Sequence, residues 1–181
     1  MMKIKVNVVG LGEVQVDKGT SLLQLSKEIY KDQYKKYLGA RINNQIYNLN
    51  KTIEEEIEIR FLDNRDVDGY RIYTKTISAV FIMACKELYP EATVKINHFI
   101  GPGLYVELDT EEGIRFTQLQ EVEKKMKEIV EKDYDIVRTR HPKEEALKTF
   151  EKHGYTDKIR LFSSIDKKEV SIYKINDHID S

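Results

Sequence analysis

The sequence predicts an α+β protein made of two domains. Hydrophobic residues make up 40% of the 181 positions, which is enough for a core. Apolar and polar residues alternate in short segments up to residue 62, as they do in half-buried strands. After residue 71 the apolar residues recur at helical spacing over longer segments. The change of pattern predicts a strand-rich first domain and a second domain that mixes helices and strands.

The first pattern predicts a hairpin, one helix and three further short strands. Residues 3–9 and 13–16 alternate on either side of a glycine turn. Ser21 follows Gly19 and Thr20 and is expected to cap a helix that begins at Leu22. The remaining strands are predicted at 39–43, 45–50 and 53–62.

Asp63–Tyr70 is polar and turn-rich, which favours a domain boundary there. Beyond it, Arg71–Tyr89 is predicted to form an amphipathic helix with Cys85 on its apolar face, where a cysteine is more typical of a core than of a nucleophile. Pro142 is expected to open a helix that stops at Gly154. The other predicted elements are strands at 93–97, 104–108, 135–139 and 170–175, a helix at 118–132, and a short helix or turn at 155–162.

The net charge of −1 argues against a nucleic-acid footprint over the whole chain. Local basic faces remain open, and the candidates for RNA contact are Lys35 and Lys36, beside Tyr34 and Tyr37, together with Arg138 and Arg140. A solvated surface is the alternative for each of them. The single cysteine excludes an internal disulfide, and we find no signal peptide or membrane span, so a cytoplasmic protein is expected.

The element order β-β-α-β-β-β is that of the ubiquitin-like β-grasp. The segments GTSLLQL and ARINNQIYNLN resemble the TGS domain, so residues 1–63 are expected to form a TGS-like β-grasp domain. The resemblance implies a docking surface for RNA or protein without catalytic groups. One departure is the closing turn, which reads IEEEIEI where the family usually carries a Gly-Asp pair.

Residues 64–181 resemble the editing domain of threonyl-tRNA synthetases and their alanyl-type relatives, an α/β sandwich. The resemblance is carried by LYPEATVKINHFIGPGLYVEL, EEALKTFEKHGYTDKIRLF and VSIYKINDHID. The family places an HxxxH motif on the first helix, and here Lys75 and Ala79 occupy those positions. A protonated lysine cannot ligate a metal, and alanine offers no ligand, so we expect neither a metal nor catalytic residues in this chain. The family's Cys-x-x-x-His would begin beyond Asp180, and the domain is expected to be truncated.

Val170-Ser171-Ile172-Tyr173 and Asn97-His98 resemble the N-terminal region of bacterial uridine kinase-like proteins. That resemblance implies a non-catalytic recognition or regulatory region whose partner is a C-terminal kinase domain. ATP and Mg are implied for that missing domain alone, because this chain has no GxxxxGK[ST] motif. The alternatives are a threonyl-tRNA synthetase-like tRNA-binding or editing module and an RNA-binding accessory unit of a synthetase paralogue.

The candidate pocket consists of Lys75, His98, Lys158 and Asp180, and its expected ligand is RNA, tRNA or a small nucleotide-like molecule. Lys158 and Asp180 match pocket residues of the editing family, and His98 precedes a Gly-Pro-Gly turn. The structural alternatives are a lysine that extends from a helix to solvent, an acidic residue at a frayed terminus and a satisfied structural histidine.

Overall fold

The computed structural model describes residues 2–101, 103–110, 113 and 115–181, including the backbone but not the side chain of Asp157. These residues form helices and several β-sheets, which confirms the α+β class. The chain divides into two compact units, Met1–Ser78 and Ala79–Ser181. The domain assignment made from the sequence, 1–63 and 64–181, remains a prediction. Within the described ranges we find no helix long and apolar enough to cross a membrane.

The first unit is built on a five-stranded sheet of order β2-β1-β5-β3-β4. In this sheet β1 and β5 run parallel, whereas the other neighbours run antiparallel. Helix α1 (Leu22–Tyr30) buries Leu22 and Leu25 in the same core as the inward side chains of the strands. The strands are β1 (Lys3–Val8), β2 (Gly12–Asp17), β3 (Gly39–Ile42), β4 (Gln45–Tyr47) and β5 (Glu58–Leu62).

Local sequence explains the start of α1 better than its end. The Ser21 hydroxyl accepts a hydrogen bond from the Gln24 backbone N–H at 3.1 Å, as the predicted N-cap requires. The α-helix ends where Lys31 adopts a φ of 48°, and a 3-10 helix continues over Lys31–Lys36. The helix predicted to begin at Leu22 therefore ends at Tyr30, and the 3-10 turns that follow it are wound more tightly.

Helix α2 (Val67–Leu88) begins four residues earlier than predicted, inside the segment expected to be a boundary loop. Ion pairs explain the early start, because Arg41 of β3 binds Asp68 and Arg60 of β5 binds Asp66. Gly69 lies so close to the preceding turn that a Cβ atom there would stand 1.8 Å from the Asp63 carbonyl oxygen. Only glycine fits at this position without movement of the backbone.

The second unit contains a three-stranded antiparallel sheet of order β10-β9-β8 and a separate hairpin of β6 and β7. The last residues of α2 pack with α3 and Ile175, while α4 and α5 pack on the Val170 and Ile172 side of β9. Its strands are β6 (Thr93–Ile100), β7 (Gly103–Asp109), β8 (Ile136–Pro142), β9 (Glu169–Ile175) and β10 (His178–Asp180). Its further helices are α3 (Phe116–Glu131), α4 (Lys143–Lys152) and α5 (Thr156–Ser164).

Three details of the second unit differ from the sequence expectations. The hairpin is longer than predicted and has a register shift between Ile96 and Phe99, while Pro102 in its predicted connection lies outside the described residues. Pro142 is the last residue of β8 and precedes α4 rather than opening it. Strand β10 was not predicted, although it carries residues of the candidate site.

Candidate functional site

One face of the three-stranded sheet carries a row of polar and aromatic side chains. Residues opposite each other in a sheet project from the same face, and the register aligns Arg138 with Tyr173 and Tyr173 with Asp180. Arg140 pairs with Ser171 one step along the same face. Arg138 donates from Nε and Nη2 to the Ser171 hydroxyl at 3.2 and 3.0 Å, and its guanidinium lies 5.7 Å from the Tyr173 ring centroid. The sheet therefore presents two arginines beside an aromatic ring.

Lys158 of α5 and Asp180 of β10 form an ion pair at the end of this row. The lysine side chain is 16% exposed and the aspartate side chain 33%, so both are largely withdrawn from solvent. Burial pushes the pKa of Asp180 upward, but the hydrogen bond and charge of Lys158 and a backbone bond from Ser181 outweigh it and leave that pKa below its usual range. Lys158 also reaches the Ser181 hydroxyl at 3.3 Å. The pair joins a helix to the last strand.

Tyr155, just before α5 begins, has two lysine ammonium groups close to its ring. Lys86, in the last turn of α2, donates to the Tyr155 hydroxyl at 3.0 Å, and its Nζ lies 4.1 Å from the ring centroid. The Nζ of Lys158 lies 5.6 Å from the same centroid. Both distances fall in the range of cation–π attraction. Among the described side chains, this group of residues thus contains two cations, Lys86 and Lys158, and one carboxylate, that of Asp180.

His178 completes the cluster at the start of β10. Its Nε2 atom is buried and has no hydrogen-bond partner among the described residues. Burial lowers the pKa of His178 to about 4, and the charges of Lys86 and Lys158 act in the same direction while that of Asp180 opposes them. The imidazole is therefore neutral at pH 7. We call Lys86, Tyr155, Lys158, His178 and Asp180 the β10 cluster.

The structure brings together two of the four residues of the predicted pocket, Lys158 and Asp180. His98 is exposed on β6, with its ring 5.5 Å from that of Tyr105, and among the described residues we find no hydrogen bond or ion pair joining it to the other two. Lys75 is exposed on the part of α2 that belongs to the first unit. Pocket roles for all four residues remain predictions.

The second predicted RNA contact lies in the first unit, on the 3-10 helix. Lys35 and Lys36 are exposed, and Lys36 donates to the Gln33 side chain at 2.9 Å. Tyr37 packs against Tyr30, with ring centroids 4.1 Å apart, and against Phe61. That aromatic packing already occupies the Tyr37 ring, which the sequence suggested as a stacking surface for bases.

Chemistry by a metal or by the cysteine finds no support in the described part of the chain. No group of three or more His, Cys, Asp or Glu side chains there is arranged to hold a metal ion. Cys85 is fully buried, and burial raises the pKa of its thiol to about 11, so it remains a protonated core residue at neutral pH.

Sequence reasoning did not identify Lys86, Tyr155 or His178 as site residues. Lys86 and Tyr155 are 69 positions apart, so no local pattern indicates their contact. His178 follows β9 by a short turn, and its return as an extra strand is what buries it. The only local signal was its place between two apolar residues of a strand-like ending, Ile175 and Ile179.

Comparison with known proteins finds threonine–tRNA ligases among the relatives of this chain. No family model matches the chain. The threonine–tRNA ligase of Clostridium tetani is 33% identical over 168 residues, which cover 92% of this chain and 26% of that protein. Those of Thermotoga maritima and Clostridium kluyveri are 31% and 29% identical over 99% and 98% of this chain, and 28% of each relative is covered. The chain is thus related to a region of these ligases and spans about a quarter of their length.

Proposed function

We propose that this chain is a tRNA-recognition region of a threonyl-tRNA-synthetase-like protein, and that it binds tRNA without hydrolysing it. The observation that carries the proposal is the similarity to threonine–tRNA ligases over 92–99% of the chain. Within this proposal, residues 1–63 are a TGS-like β-grasp docking domain and residues 64–181 an editing-domain-like α/β sandwich.

The polar face of the three-stranded sheet supports RNA binding. Arg138 and Arg140 lie two residues apart on β8 and are exposed, so phosphate oxygens can reach both guanidinium groups, although that of Arg138 already donates to the Ser171 hydroxyl. Tyr173 stands opposite Arg138 in the next strand. Arginines beside an aromatic ring are typical of surfaces that bind single-stranded nucleic acid, where phosphates and bases are contacted together.

The positions that correspond to the family's histidines support binding without hydrolysis. Ala79 is 4% exposed within the core formed by α2 and α3, so its place is filled by packing rather than by a polar group. Lys75 carries an ammonium group in place of the other histidine. Neither residue can activate a water by metal ligation or by accepting a proton at neutral pH.

The hypothesis of a nucleoside kinase parent rests on two short segments, 97–98 and 170–173, and the relatives favour the tRNA hypothesis over it. The coding sequence that follows Ser181 in the gene would distinguish the kinase hypothesis from the tRNA hypothesis. A P-loop there would support the kinase, with its ATP and Mg, whereas a class II synthetase core would support the ligase-like protein.

Binding of labelled tRNA, titrated across salt concentrations, tests the main proposal. We expect binding that weakens with salt, because released counterions drive phosphate contacts. Changing both Arg138 and Arg140 to Gln should weaken binding at least ~10-fold and lower the salt slope by about 2, which is about 1 for each arginine that binds a phosphate. The matched control is Lys174→Gln, which removes an exposed cation from the opposite face of β9.

Two results would overturn the proposal. One is an absence of tRNA binding by the wild-type chain at low salt. The other is equal weakening by the double variant and the control, which would make the interaction a diffuse charge effect. Incubation with mischarged tRNA tests the second part, because steady deacylation above the buffer rate would make the chain a hydrolase.

A further inference from the structure

We propose that Lys86 and Tyr155 form a binding site for the phosphate group of a nucleotide, separate from the arginine face of β8. Lys86 is exposed, and its ammonium group donates a hydrogen bond to the hydroxyl oxygen of Tyr155. Among the described side chains, no carboxylate oxygen lies within 4.0 Å of this ammonium group. Within the described part of the chain, this ammonium group therefore has a hydrogen-bond partner but no neutralising one.

Each of the two side chains keeps a donor for a further acceptor. The Tyr155 oxygen accepts one proton of Lys86, so its own O–H proton is free to point elsewhere as a donor. The ammonium group keeps two further protons for other acceptors. Phosphate oxygens accept hydrogen bonds only, and charged donors bind them more strongly than neutral donors do. A single phosphate group matches this set of donors.

The charges of the neighbouring groups favour an anion here. Lys158 approaches the same tyrosine ring but is matched by Asp180. His178 is neutral at pH 7, because burial and the nearby lysines lower its pKa to about 4. The excess charge of the β10 cluster among its described side chains is therefore the one positive charge of Lys86.

The identity of the ligand as a nucleotide phosphate rests on the proposed function. Two sources share this chemistry, the 5′-terminal phosphate of an RNA strand and the phosphate of a free nucleotide. The Lys86–Tyr155 contact also joins α2 to the residue that precedes α5, so a purely structural role predicts a loss of stability and no preference for phosphate.

Isothermal titration calorimetry of the full chain with two pairs of probes tests the site. One pair is the trinucleotide CCA with and without a 5′-phosphate, and the other pair is AMP and adenosine. We expect each phosphorylated probe that uses the site to bind ~10-fold more tightly than its unphosphorylated partner, as one charged hydrogen-bonded contact supplies. Lys86→Gln should abolish that difference, and Tyr155→Phe should reduce it roughly threefold. The matched control is Lys132→Gln, since Lys132 also lies over a tyrosine ring, that of Tyr134, at 5.8 Å.

The outcomes separate this proposal from the previous one. Loss of tRNA binding in the Arg138 and Arg140 double variant, with the phosphate preference intact, would support both. A phosphate preference in a wild-type chain that fails to bind tRNA would support the site alone. No preference in the wild type, or equal weakening for all probes in Lys86→Gln, would overturn it. AMP against adenosine shows whether a free nucleotide suffices.

Discussion

The β10 cluster makes the stability of the protein depend on pH through His178. In the unfolded chain the imidazole has its ordinary pKa of 6.5, whereas in the folded protein burial and the charges of Lys86 and Lys158 lower the pKa to about 4. Between these two values the unfolded state binds more protons than the folded state. The contribution of His178 to the free energy of unfolding is therefore fully present above pH 6.5. It is lost as the pH is lowered from that value through about 4.

The size of the effect follows from the two pKa values. A difference between 6.5 and about 4 corresponds to at most about 3.4 kcal/mol, at about 1.36 kcal/mol per pKa unit. His178 is only partly buried, and solvent screens the lysine charges, so we expect about 2 kcal/mol. His178→Gln removes the titrating group, so the difference in unfolding free energy between wild type and variant should change by this amount across the window.

Urea unfolding followed by far-UV circular dichroism, at intervals from about pH 4 to 7.5, measures this difference. Tyrosine is the remaining fluorophore for a second probe, since the chain has no tryptophan. Any constant offset from the substitution cancels in the pH trend. Lys86→Gln should raise the pKa of His178 in the folded protein and so narrow the pH range over which stability changes. An NMR titration of the imidazole measures this pKa directly. A flat difference curve, together with an NMR midpoint near 6.5, would refute the reasoning.

Three further changes test the fold by thermal or urea unfolding. Ser21→Ala removes the cap of α1 and should cost about 1 kcal/mol, and an unchanged midpoint would contradict the cap. Gly69→Ala places a Cβ 1.8 Å from the Asp63 carbonyl and should cost about 2–4 kcal/mol, whereas Gly103→Ala, with its nearest atom at 3.7 Å, should cost less than about 1 kcal/mol. Ala79→His should cost about 1–3 kcal/mol through overpacking, and a neutral result would show that the helix still has room for the family's histidine.

Sequence reasoning was accurate where a few neighbouring residues determine the structure. The alternation of Ile4, Val6 and Val8 predicted β1, and Ser21 predicted the start of α1. The start of α2 was wrong because it depends on the ion pair of Arg41 with Asp68, 27 residues away, which no local pattern reveals.

The site was predictable only in part for the same reason. Resemblance to a family located Lys158 and Asp180, and the structure joins them. Strand β10 has only three residues, too few for a periodic signal, so the burial of His178 was not foreseen. The contact of Lys86 with Tyr155 joins residues 69 positions apart, so it depends on the complete fold of the second unit.

The neutral histidine and the proposed phosphate site are coupled, and this coupling gives a test of both. The charge of Lys86 helps to lower the pKa of His178. A phosphate bound to Lys86 would offset that charge, so it should raise the pKa of the imidazole. Coupling between two binding events is reciprocal, so phosphate should then bind more tightly as the pH is lowered towards about 4.

Imidazole NMR titrations with and without phosphorylated CCA measure the first effect, the change in the pKa of His178. Titrations of phosphate affinity against pH measure the second effect, after correction for protonation of the phosphate itself. Equal pKa values in the two titrations would mean that the anion binds elsewhere, because a charge bound to Lys86 cannot leave the neighbouring imidazole unaffected.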